Sequence, residues 1–301
     1  MWLVPGTLAA AVDRATRRAI ASGAMEPIET DAEQIEDGGV RFTVRRVSSL
    51  ARKRLELRRR EAQAASGHRA ANPFQPYEED LFVAGVSPTH FVLLNKYNVL
   101  ARHLLVVTRE FVSQEAPLDR ADFAALAACM AEFDSLGFYN GGVAAGASQP
   151  HKHLQLVPLP LDQGPYAVPV EAVLATVAGR EGALTVPGLP FRHAFAWFST
   201  VPGEVALDVA TRLQPLCAEL LAAVGVVPAD RAGEVRQSGP YNLLMTRNWM
   251  LAIPRVREHH AGISVNALGF AGSLFVQDAA QRAELVRVGP MAVLCAVAGM
   301  R

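Results

Sequence analysis

The chain has 301 residues, 50% of them hydrophobic and 19% charged, which is enough apolar matter to bury a sizeable core. Lys plus Arg and Asp plus Glu each number 29, so the formal charge is zero, and no basic excess marks nucleic acid or an anionic membrane as the partner. The three cysteines, Cys129, Cys217 and Cys295, lie far apart among apolar neighbours without a CxxC pair, which reads as reduced core cysteines of a cytoplasmic protein rather than a disulfide framework.

The opening MWLVPGTLAAAVDRATRR has no basic stretch ahead of its apolar run and soon meets Asp13 and Arg14, which suits a helix over 7–22 better than a signal peptide. No run of 18 apolar residues occurs, so no transmembrane span is expected. FTVRRV, with Thr43, Val44 and Val47, predicts a strand. The charged stretch from Lys53 to Ala71 reads as a solvated face or connector, with a phosphate-facing role open for one or two of its cations. HFVLLNKYNVL and ARHLLVVTREF predict two further strands, HLLVV being continuous enough for a central one. Next, Asp119 as N-cap, Asp122 in the first turn and Phe123, Leu126, Ala127, Met130 and Phe133 at helical spacing predict a helix ending before FYNGG. KHLQLVPLP predicts a strand stopped by Pro158 and Pro160.

A loop-like stretch rich in Gly and Pro then divides the chain into halves, 1–165 and 186–301. In the second half LPFRHAFAWFS predicts a strand, and Asp208 to Val226 a helix kinked or split at Pro215. YNLLMTRNWMLAIP and GISVNALGFAGSLFV predict strands, and two short helices flank Gly289-Pro290. A faint echo between RHLLVVTR and RNWMLAIPR suggests duplicated halves.

The stretch GASQPHKHLQ carries the chemistry. In a strand His151, His153 and Gln155 share one face, while Leu154 and Leu156 on the other anchor the strand in the core. So much polar surface on one side of an apolar strand needs a destination, which weighs against histidines that are merely structural. A zinc site would need a third ligand from His103, His193, His259 or His260, and Gln155 suits zinc poorly. Covalent catalysis is the remaining reading. A neutral imidazole is a good nucleophile toward phosphorus when one ring nitrogen is free and an acceptor holds the other. The small residues of GGVAAGASQ let backbone N–H groups approach phosphoryl oxygens, with Asn140, Ser148 and Gln149 nearby.

GASQPHKHLQ resembles the active-site signature of the histidine-triad superfamily in its transferase branch, where a glutamine stands at the third histidine position. NPFQPYEEDLFV, LLNKYNVLARHLLVVTREFVSQEAPL, YNLLMTRNWMLAIPR and GISVNALGFAG are similar, in order, to segments of the diadenosine tetraphosphate phosphorylases, or ATP adenylyltransferases. The resemblance implies an α+β fold, an antiparallel sheet with flanking helices in two related halves. It also implies His153 as nucleophile on the α-phosphorus of an adenine nucleotide, His151 shaping the site and Gln155 bonding the phosphoryl group. Asn140, Gly146, Ala147, Ser148 and Gln149 would line the phosphate path. Asn95 and Lys96 would lie near the nucleotide, Lys53 would contact phosphate, and Ser264 and Asn266 would contribute from the second half. The implied partners are small molecules: diadenosine tetraphosphate, ATP, ADP and phosphate, with Mg²⁺ or Mn²⁺ arriving on the substrate phosphates and no protein-held metal. A galactose-1-phosphate uridylyltransferase, a dinucleotide hydrolase and a non-catalytic dinucleotide sensor are the alternatives, though a uridylyltransferase would be expected to carry proline where this chain has Lys152.

Overall fold

A computed structural model of the chain describes residues 2–47, 72–231 and 233–300. The first segments are α1 (Leu8–Ser22), β1 (Thr30–Asp37), β2 (Val40–Val47), β3 (Phe82–Gly85), β4 (His90–Leu94) and β5 (Leu104–Thr108). Then follow α2 (Arg120–Met130), β6 (Ser135–Gly141), β7 (His153–Pro158), the one-turn α3 (Glu171–Leu174) and β8 (Ala194–Trp197). The second half continues with α4 (Ala206–Ala223), β9 (Pro228–Arg231), β10 (Glu234–Gln237), β11 (Tyr241–Met245) and β12 (Trp249–Pro254). It closes with β13 (His259–His260), β14 (Ile263–Ser264), α5 (Ala267–Ala271), β15 (Ser273–Val276), α6 (Ala279–Val288) and α7 (Pro290–Ala298). None of the helices described is long and apolar enough to cross a membrane.

Eight strands form one antiparallel sheet in the order β3-β4-β5-β7-β6-β11-β12-β8, so strands from before and after residue 165 share a single hydrogen-bonded surface. A smaller sheet pairs β1 with β2, through a turn in which Gly38 and Gly39 both take positive φ as a tight hairpin demands, and adds β15 in parallel.

Alternation along the strands sorts the large sheet into two faces. Leu154 and Leu156 of β7, Leu104 and Val106 of β5, and Tyr241 and Leu243 of β11 pack beneath α1, α2 and α4. α2 begins on a full capping box, in which Asp119 accepts from the Ala121 and Asp122 amides and Asp122 accepts from the Asp119 amide at 2.8 Å. On the other face Leu136, Phe138, Val157, Leu244, Trp249, Leu251 and Ile253 meet the small sheet, α5 and α7, while Phe74, Phe91, Leu93 and Val107 form a separate cluster. The polar row of β7 falls between these two covers.

Three elements depart from the sequence reading. SLGFYNG, expected only as a helix end and glycine break, is the fully buried strand β6, whose two glycines fit close neighbours: a Cβ on Gly141 would lie 2.5 Å from the Tyr241 ring. ALGFA, expected as strand, is the helix α5, nucleated by Asn266 accepting from the Leu268 amide at 3.0 Å. α4 runs unbroken through Pro215, because Pro215 faces solvent while Val209, Leu213, Cys217 and Leu220 hold the helix onto the core. Lys53 lies outside the described residues.

Candidate active site

β7 puts His153 and Gln155 on the open face, paired with Val107 and Leu105 of β5. On β6, Phe138 stands opposite Gln155, so Asn140, two residues along, comes beside His153. Asn140 in turn pairs across the sheet with Asn242 of β11. A polar row thus crosses three strands.

His153 is 4% exposed, and its Nδ1 donates to the His151 carbonyl at 2.8 Å, which places the ring proton there. Nε2 has no partner among the described residues. Burial pushes the ring pKa down to about 4, against the raising effect of the His151 carbonyl, so the imidazole is neutral at pH 7. His151 holds the opposite tautomer. Its Nδ1 accepts from Asn72 at 3.0 Å, and its Nε2 donates to the Thr108 and Glu110 carbonyls at 2.9 and 3.1 Å. Both ring nitrogens of His151 are therefore occupied, and its backbone carbonyl is what orients His153.

Two amides stand on the same sheet face as His153, each with its oxygen pinned. Gln155 Oε1 accepts from His103 Nε2 at 2.9 Å, and His103 Nδ1 accepts from Asn95 at 3.1 Å. Asn140 Oδ1 accepts from Asn242 Nδ2 at 2.8 Å and from the Ala267 amide at 3.0 Å. Both NH₂ groups are left without partners among the described residues, as donors for an anion. His103, its pKa lowered to about 4 by burial, stays neutral and can keep this arrangement.

The loop between β6 and β7 turns on Gly146, at φ 87°, where a Cβ would stand 2.9 Å from that of Asn266 and 3.2 Å from the Val265 carbonyl. The expected cradle of four loop N–H groups is halved here, since Gly146 donates to Val143 O and Ala147 to Gly142 O within the loop. The Ser148 and Gln149 amides keep no partner among the described residues, and they border a groove of about 590 Å³ lined also by Phe111, Ser113 and Arg236.

Family models match the chain along nearly its whole length: the Ap4A phosphorylase N-terminal domain over residues 1–176 and the ATP adenylyltransferase C-terminal domain over 187–299. The chain belongs to the Ap4A phosphorylase family. It is 28% identical over 241 residues, 72% of each chain, to diadenosine 5',5'''-P1,P4-tetraphosphate phosphorylase 2 of Saccharomyces cerevisiae. To Protein APA1 of the same yeast it is 24% identical over 297 residues, 91% of this chain and 88% of that one. Crystal structures of yeast Ap4A phosphorylase Apa2, alone and in complex with Ap4A, share the fold, with a TM-score of 0.78, 20% identity and 99% coverage of both chains.

Within this family member the remaining expected residues separate. Asn95 acts through His103. Lys96 is tied to Glu78 at 2.7 Å and Ser264 to Glu258 at 2.6 Å. Asn266 caps α5 and presses its backbone against Gly146, so it braces the loop. Four residues with supporting positions had no role in the sequence reading. Gln114 accepts from the His153 amide at 2.9 Å and donates to the Asn140 carbonyl at 2.9 Å, Asn72 holds His151, and Asn242 and Arg255 reach the site from the second half. Asn72, Gln114, Asn242 and Arg255 all sit inside the segments that resemble the family, which is the signal that could have singled them out.

Proposed function

We propose that the chain is an ATP adenylyltransferase acting as a diadenosine tetraphosphate phosphorylase, with His153 as nucleophile. The observation that carries this reading is the tautomer of His153: Nδ1–H is held by a backbone carbonyl and Nε2 is unprotonated, while two amides on the same sheet face keep their NH₂ groups unpartnered among the described residues. In the first step Nε2 forms a bond to an α-phosphorus as the bond to the bridging oxygen breaks, giving adenylyl-histidine and ATP. The ring then carries a positive charge, which the His151 carbonyl at 2.8 Å stabilises. The NH₂ groups of Gln155 and Asn140 donate to the phosphoryl oxygens as charge develops on them. In the second step a phosphate oxygen attacks the same phosphorus, the P–N bond breaks, and ADP leaves with His153 neutral again.

No group of three or more His, Cys, Asp or Glu able to hold a metal occurs among the described residues. In this proposal Mg²⁺ or Mn²⁺ comes on the substrate phosphates and offsets their charge, and the protein supplies orientation and donors. The free thiols of Cys129, Cys217 and Cys295 suit a cytoplasmic setting.

The test is a product assay with α-labelled dinucleotide. Labelled ADP in phosphate buffer, together with acid-labile label on the quenched protein, is the expected result. AMP as the product with phosphate present would make the enzyme a hydrolase, and binding without turnover would make it a sensor.

A further inference from the structure

We propose that Arg255 is a positioning residue of the second half, a buried cation that sets the Asn140 amide and the phosphate-facing loop for an incoming phosphoryl group. The inference rests on the function proposed above. Arg255 follows β12 on the same sheet face as the polar row and is 4% exposed.

Its guanidinium ties β11, the loop, the 257–265 segment and the end of α7 together. Nη1 donates to Asn242 Oδ1 and to the Ala145 carbonyl at 3.3 Å. Nη2 donates to the Val265 and Arg257 carbonyls at 2.8 and 2.9 Å, and Nε to the Val297 carbonyl at 3.3 Å. The Phe270 ring lies 5.3 Å from its central carbon. Asn242, held at its oxygen by Arg255, is left with its NH₂ for Asn140 Oδ1 at 2.8 Å and the Ala145 carbonyl at 2.9 Å. The chain Arg255 to Asn242 to Asn140, together with the Ala267 amide, therefore fixes the Asn140 oxygen and leaves its NH₂ end for a ligand. Reversing the Asn242 amide would set its oxygen against the Asn140 oxygen and the Ala145 carbonyl, and reversing Asn140 would set NH₂ against NH₂.

Charge gives the arrangement a direction. No carboxylate lies within ion-pair distance of Arg255 among the described residues, and neighbouring Glu258 bonds Ser264 at 2.6 Å. Burial lowers the Arg255 pKa to about 10, which still leaves it protonated at neutral pH. A buried cation without a carboxylate at ion-pair distance, its pKa raised only by the more distant charge of Glu258, is costly for the empty protein, and an anion arriving two amides away recovers part of that cost. Lysine, a point charge with three donors, cannot reproduce the planar fork.

The test compares wild type with Arg255→Lys and Asn242→Ala, measuring AMP and adenosine binding by calorimetry and kcat and KM for phosphorolysis. Arg255→Lys is expected to weaken AMP about tenfold while adenosine binding changes less than about twofold. Asn242→Ala leaves Arg255 in place, so it is the variant to use where Arg255→Lys does not fold; it is expected to lower kcat about tenfold or more with KM little changed. Equal weakening of AMP and adenosine, or no change in either variant, would overturn the proposal. Absence of adenylylated wild-type protein would instead sink the proposed function, and the contrast between AMP and adenosine would still judge Arg255.

Discussion

Neighbouring residues at the start of one strand meet opposite fates. Just ahead of β7, Lys152 donates to Asp122 Oδ2 at the start of α2 and to the Pro117 carbonyl, both at 2.9 Å, and His90 completes the carboxylate at 3.0 Å. Asp122 also closes the capping box, and although burial raises its pKa, the His90 hydrogen bond and the Lys152 charge more than offset this, so its pKa ends below the usual value. That cluster is saturated. On the open face, one residue away, His153, Gln155 and Asn140 each have one end fixed and the other left for a ligand. Full satisfaction stabilises the fold, and incomplete satisfaction, held in place by satisfied neighbours, supplies the chemistry.

The division can be broken most sharply at His153. His153→Ala should lower kcat/KM on the order of 10³-fold or more and abolish labelled protein, with melting temperature little changed. Loss of fold instead of turnover would show the ring to be structural. Asp122→Ala leaves Lys152 buried without its carboxylate and removes one half of the capping box, so denaturant unfolding should reveal a loss of about 3–5 kcal/mol with the folded fraction still turning over at its former rate. A matching drop in kcat would mean the two faces are not separate. Gln155→Ala removes one oxyanion donor and should lower kcat about 10²-fold, an effect visible in single-turnover adenylylation.

Acid acts on the two buried histidines together. His103 and His153 have folded pKa values of about 4, below the unfolded value, so the unfolded chain binds more protons between about pH 4 and 6.5. Stability should be fully present above that window and fall as pH drops through it, by up to about 1.4 kcal/mol per unit for each histidine. Between pH 7 and 8 kcat should show no step from His153. A titration of the catalytic group near 6.5 would show that the ring is more open to water than this geometry allows.

The sequence was most legible where the determinants are local. Alternation assigned the two faces of β7, and the spacing of Asp119 and Asp122 placed the start of α2, because period and capping are set within a few residues. It was least legible in β6 and α5. SLGFYNG is buried on both faces and shows no alternation, and the five-residue apolar run ALGFA fits either state until Asn266 caps it.

The sequence by itself determined that an imidazole and a glutamine share one face of a buried strand, behind a loop small enough to approach phosphate; the second imidazole, His151, stands just ahead of the strand rather than on it. Only the tertiary structure decided which nitrogen and which amide ends are free. Gln114 lies 39 residues from His153, His103 lies 52 from Gln155, and Asn242 lies 102 from Asn140, so no local pattern encodes those hydrogen bonds. They exist because the antiparallel sheet joins the two halves at β6 and β11 and brings their polar side chains into one row.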